Sequence, residues 1–341
     1  MSYIIAIGLY LVLLMVYGLV IAHKKVKTTD DMMTGGHKIP FIILVGSLLA
    51  TWCGGGGITG SAGVVYSGGP WVGALAYAAP PIGIILLYFI AGRVRKTNKV
   101  TVPEIMGARY GAAASVISAL CVMLAYVGVL ATQLKAAADI LVLLCHSSGI
   151  EISHGVALAI CTVIIVIITV GGGLVSVAYS DAVSALIMIG GFFLAIPILV
   201  HVANSQGAVL PPEKASFTGG LSGWTLLGYF LPGLSLMLGD QNMLQRFASA
   251  KNSDEAKKSN IGMFIGELLV IISIIALVTQ AAKLYPSLDT PSNVIFQVAV
   301  DYLPLVFGAL VMCACMAFIV TTADSYLLSS ATNLTNDIYV K

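Results

Sequence analysis

The chain has 341 residues, 58% of them apolar and only 9% charged, with a mean hydropathy of +0.98. Soluble domains carry about 25% charged residues, so a soluble fold is excluded. A β-barrel is excluded as well, because it needs alternating segments of about ten residues and runs such as VALAICTVIIVIITV at 156–170 do not alternate. The net charge of +2, with no long basic cluster, leaves no nucleic-acid partner and makes the lipid bilayer the environment of an all-α polytopic membrane protein.

The first apolar run, 3–22, has no basic leader and exceeds a signal-peptide core, and its charges follow it at Lys24 and Lys25. It reads as a retained span with its N-terminus outside. Eight further spans are expected, at 41–66, 70–92, 113–145, 154–172, 181–203, 223–246, 260–282 and 297–335. With the N-terminus outside, every Lys and Arg falls on the inner side except Lys135 within a span and Lys214 and Lys283 in outer loops. The C-terminal end, Lys341, is then inside, and the asymmetry is the one the positive-inside rule describes.

The second span carries ATWCGGGGITG at 50–60. Each glycine weakens a helix by about 1 kcal/mol relative to alanine, so four in a row predict a break. Backbone freed at membrane depth has to line protein or a wet cavity. The carbonyls of Ala50 and Cys53 are then available to a cation, unless the glycines serve only close helix packing. A second break is expected in 223–246, where Pro232, Gly233 and Gly239 precede Asp240, Gln241 and Asn242. Those three polar residues also suit an inner interfacial end near Arg246.

Between these breaks lie isolated ionisable residues. Lys135 and Asp139, four residues apart, suit a self-neutralising helical pair. Asp181 is placed at the start of the 181–203 span, where a helix-capping role competes with a functional one. Glu267, about two turns into the 260–282 span, reads either as a buried acid or as one facing inner water. In the last span, Thr321, Asp324, Ser325 and Leu328 share one helical face with Thr322 beside it. That oxygen-rich strip suits a hard cation such as Na+, or hydroxyls bonded back to their own helix. The six cysteines and five histidines show no transition-metal spacing, and no phosphate loop or hydrolase motif occurs, so neither an enzyme nor a cofactor is expected.

Five stretches together resemble the sodium:solute symporter family: ATWCGGGGITGSAGVVYSGG, TVPEIMGARYG, GGGLVSVAYSDAV, GDQNMLQRF and TTADSYLLSSATNLTNDIY. Within that family the first and third look most like the choline-transporter branch. The resemblance implies a leucine-transporter-type inverted-repeat core within a single domain over 1–341. The first five-helix repeat is placed at 41–203 and a partial second repeat at 223–335, with the last two core helices expected beyond the end. It also implies a sodium site made of the Ala50, Cys53 and Phe318 carbonyls and the Thr321 and Thr322 hydroxyls. A second cation site is implied at Asp181, Asp324 and Ser325, and solute contacts at Trp52, Gly54, Gly55, Gly56, Asp240 and Gln241. The implied activity is sodium-coupled symport of a small organic solute (amino acid, quaternary amine such as choline, or carboxylate) across a bacterial-type plasma membrane. Two alternatives stay open: a proton-coupled carrier using Asp324 or Asp181, and a transporter-like membrane sensor.

Overall fold

The computed structural model describes residues 1–28, 31, 34–97, 99–170 and 173–339. Lys341, and Gly171 and Gly172 of the GGGLVSVAYSDAV stretch, lie outside them. The described residues are helical throughout apart from connections, with one isolated bridge between Ile39 and Ala250. The chain begins with α1, Ser2–Lys25. Next come α2, Phe41–Trp52, and α3, Gly57–Gly68, which meet at a 61° bend. After α4, Pro70–Ala76, and α5, Ala79–Thr97, the short α6, Val102–Tyr110, is capped by reciprocal bonds of Thr101 and Glu104. The long helices α7, Ala112–Ser147, α8, His154–Val170, and α9, Gly173–Ser205, complete the first half. The second half holds α10, Gly223–Gly239, α11, Gln241–Ser249, and α12, Ser253–Leu284. It ends with α13, Val294–Asp301, and α14, Leu305–Asn333, which runs on as a wider turn to Tyr339.

Six helical stretches are long and apolar enough to cross a membrane, the bent α2–α3 pair makes a seventh, and α8 is a shorter apolar helix. Several helices depart from the expected spans, α12 among them, which starts at Ser253 and not at 260. α9 begins at Gly173, eight residues before the expected 181, so Asp181 lies more than two turns inside the helix. Its first turns hold Ser176, Ser180 and Asp181, all buried, and protein supplies their partners where lipid would not. The 223–246 span is two helices that part at Asp240, whereas Pro232 and Gly233 stay within α10. The 297–335 span is also two helices. Pro304 lacks the N–H needed to extend α13 and caps α14 instead.

α14 is the centre of the molecule. Its most apolar window is 67% buried, against 17% for α7, which sets α7 at the rim. α14 packs on α9, α7, α1 and α2, while α9 also lies along α2 and α12. The broken α2–α3 pair is therefore held between α9, α12 and α14. Phe192 of α9 stacks on Phe318 of α14 at 5.4 Å, and the two rings fix those helices beside the break.

Candidate functional site

The α2–α3 break is built by close approach. α2 stops at Trp52, and Cys53 takes an extended backbone conformation. None of Gly54, Gly55, Gly56 and Gly57 has a positive φ among the described residues, so the run does not serve left-handed turns. A Cβ on Gly54 would sit 2.9 Å from Thr322 Oγ1, and one on Gly55 2.8 Å from Gln133 Oε1. Gly56 and Gly57 would meet nothing within 4 Å. Two of the four glycines thus admit α14 and α7 to the backbone. The Gly55 N–H freed by the break donates to Gln133 Oε1 at 2.6 Å, so no buried donor is left open there.

On the α14 side, Thr321 Oγ1 donates to the Ala50 carbonyl at 2.9 Å and also to Ala317 at 2.7 Å. Thr322 Oγ1 lies 3.1 Å from the Thr51 carbonyl and 3.3 Å from that of Cys53. Two carbonyls and two hydroxyls of the implied sodium site therefore converge from helices far apart in sequence. Phe318, one turn before Thr322, is fully buried at the same place. The oxygens brought together, the Ala50 and Cys53 carbonyls and the two threonine hydroxyls, are neutral and of the type a hard monovalent cation takes.

The residues of the implied second cation site meet a cation that the chain itself carries. Arg246 of α11, fully buried, donates through Nη2 to Asp181 Oδ2 at 3.1 Å and to Ser325 Oγ at 2.7 Å. Its Nε donates to Ser47 Oγ at 2.8 Å, and Ser47 in turn donates to Asp181 Oδ2 at 2.7 Å. Thr51 Oγ1 bridges to Ser325 Oγ at 3.1 Å. Asp324 is buried next to them, with the Ser325 hydroxyl at 3.3 Å. The network ties α2, α9, α11 and α14 directly behind the break.

A cavity of about 290 Å³ opens on the other side of the break. Trp52, Cys53, Gly54 and Gly56 form one wall, Gln133 and Tyr77 another, and Phe318, Thr322 and Tyr326 the floor beside α14. Gly55, expected to touch solute, is not part of the lining, and its N–H is engaged by Gln133. Asp240 and Gln241 do not line the cavity. Asp240 caps α11 and accepts hydrogen bonds from Tyr126 Oη at 2.6 Å and Tyr326 Oη at 2.7 Å. Gln241 donates to Asn333 at 2.8 Å. Lys135 pairs with Asp139 at 2.8 Å, and His154 reaches the same carboxylate at 3.0 Å, away from the cavity.

Sequence reasoning missed Gln133, a polar residue in the middle of an apolar helix, which was the available signal. It also missed the Arg246–Asp181 pair. Arg246 was read as an inner-end charge, and nothing in its spacing from Asp181 announces the contact. Glu267, left undecided, is buried in the cavity wall and accepts the Cys53 thiol proton at 3.0 Å.

Comparison with known proteins matches residues 32–341 to the sequence model of the sodium:solute symporter family. The high-affinity choline transporter 1 of Drosophila melanogaster is 25% identical over 98% of this chain, and the match spans 56% of the fly protein. The chain thus corresponds to little more than half the length of that relative. The sodium/sialic acid symporter NanT of Aliivibrio fischeri is 24% identical over 99% of this chain and 70% of its own. A solved structure titled as the substrate-bound outward-open state of a Na+-coupled sialic acid symporter superposes with a TM-score of 0.81 at 18% identity, covering 99% of this chain and 74% of that one. At that identity the likeness concerns the fold.

Proposed function

As the chain belongs to the sodium:solute symporter family, we propose that it is an integral membrane carrier in which Na+ binding at the α2–α14 contact drives symport of a small organic solute. The observation that carries this reading is the convergence of the Thr321 and Thr322 hydroxyls on the carbonyls of Ala50, Thr51 and Cys53 at a break in a membrane helix. Na+ there braces α2 against α14 and so shapes the cavity wall that Trp52, Gly54 and Gly56 form. Solute and ion each favour the same conformation, and linkage makes each raise the other's affinity by the same factor. The single guanidinium of Arg246 already supplies the positive charge Asp181 requires, and one Na+ at the threonine pair is the coupling ion. The N-terminus is assigned to the outer face on the distribution of Lys and Arg.

The test is thermal unfolding of the purified chain titrated with NaCl against KCl. A ligand that binds only the folded state raises stability by RT ln(1 + [L]/Kd). The expected result is a rise selective for Na+ that Thr322→Ala removes. Equal curves in both salts overturn the assignment. Coupling to protons is a second reading, drawn from the buried Asp324 carboxylate beside an Arg246 already engaged with Asp181. It predicts stabilisation that follows pH and is indifferent to the choice of salt.

A further inference from the structure

Glu267 has no part in the sodium contact or in the Arg246 network. It projects from α12 into the cavity wall opposite α14 and is almost wholly buried. Among the described residues that line the cavity it is the only charged one. The side chains within reach of its carboxylate are the Cys53 thiol and the Trp52 indole, both neutral, and the thiol is a weak donor. No Lys, Arg or His pairs with it among the described residues. A buried carboxylate without a counter-charge is costly, and proteins keep such groups paired or neutralise them. Around this one acid the cavity presents aromatic rings, Trp52, Tyr77, Phe318 and Tyr326. The quadrupole of an aromatic face attracts a soft organic cation, and a carboxylate beside it supplies the full opposite charge.

We propose that the solute is a small alkylammonium cation and that Glu267 is its counter-charge. This rests on the symporter reading and narrows it. A carboxylate solute would enter a cavity whose only charge among the described residues repels it and whose described lining has no basic group to receive it. The volume of about 290 Å³ is ample for an ammonium carrying a few short substituents. Glu267 also touches Cys53, the residue whose carbonyl faces Thr322, so the charge of the solute and the Na+ contact meet through one residue.

The experiment is thermal unfolding of the full chain in NaCl with choline, tetramethylammonium, glycine betaine, sialate and pantothenate as probes, for wild type, Glu267→Gln and Glu267→Asp. Choline and tetramethylammonium are expected to raise the unfolding temperature of wild type, and sialate and pantothenate to leave it unchanged. Glu267→Gln is expected to weaken the ammonium response at least tenfold, and its wild-type helical circular dichroism and single cooperative unfolding transition show that it is folded. Glu267→Asp is expected to retain part of the ammonium response. A wild type that answers to sialate or pantothenate and not to the ammonium probes overturns the proposal. So does a Glu267→Gln chain that binds choline as wild type does, or a wild type stabilised by Na+ and by no ammonium probe; that last result leaves the sodium reading intact. The converse, an ammonium response through Glu267 with no response to Na+, upholds the proposal and removes the sodium coupling.

Discussion

Arg246 and Asp181 form a buried ion pair whose remaining donors are taken up by Ser47, Ser325 and the Asn242 carbonyl. Removing one partner strands the other's charge. Arg246→Met is therefore expected to cost about 3–5 kcal/mol, and Arg246→Met with Asp181→Asn to recover most of it, as read from thermal unfolding of the two variants. The glycine run gives a second contrast. Gly54→Ala places a methyl 2.9 Å from Thr322 Oγ1 and is expected to abolish the response to NaCl. Gly57→Ala meets open space and is expected to leave that response unchanged while adding up to about 1 kcal/mol of helix propensity. At this scale the sequence was legible where chemistry repeats along one helix. Thr321, Thr322, Asp324 and Ser325 lie within one turn, and their oxygen-rich strip could be seen directly. It was illegible where a contact joins distant segments. Gln133 meets Gly55 and Arg246 meets Asp181 through tertiary packing, which leaves no local pattern.

The break between α10 and α11 depends on one carboxylate. Asp240 caps α11 through Asn242 N at 2.8 Å and holds the hydroxyls of Tyr126 and Tyr326, whose rings lie 4.4 Å apart. Asp240→Ala removes the cap, at about 1 kcal/mol, and leaves two buried hydroxyls without an acceptor, at about 1–3 kcal/mol each. Faster amide hydrogen exchange is expected across 239–249, with α2 and α9 little changed. Exchange that rises equally everywhere would instead mean that Asp240 supports the whole bundle. The element boundaries show why apolarity alone finds membrane helices imperfectly. The expected span starts at Asp181 and leaves out Ser176 and Ser180, yet these polar residues lie within α9 and are enclosed by protein. The expected 297–335 span takes in both α13 and α14 because both are apolar, although Pro304 separates them. The Gly54 and Asp240 breaks were legible because glycine and a polar triplet are unfavourable in a straight apolar helix.

For the whole molecule, composition excluded a soluble fold and the non-alternating apolar runs excluded a β-barrel, which left a polytopic helical bundle, and its fold followed the family resemblance. The orientation is a separate proposal, which rests on charge placement. In a chain with its six cysteines replaced, Gln206→Cys is expected to react with a membrane-impermeant maleimide added outside intact cells, and Lys251→Cys only after lysis. The reverse pattern would invert the assignment. On the proposed carrier reading, the threonine contact also bears on turnover, since a carrier has to release what it binds. A hydroxyl has one proton and two lone pairs. Thr322 directs its proton to the Thr51 carbonyl of α2, and Thr321 shares its own between the Ala50 carbonyl of α2 and the Ala317 carbonyl of α14. To ligate a cation they need only rotate those protons away and present lone pairs, with the same carbonyls turning from acceptors into ligands. For Thr321 the Ala317 carbonyl of its own helix stands ready to take that proton, so loading and unloading there exchange one hydrogen bond for one ligand contact. Such an exchange keeps the grip on the ion modest and lets it leave where its concentration is low.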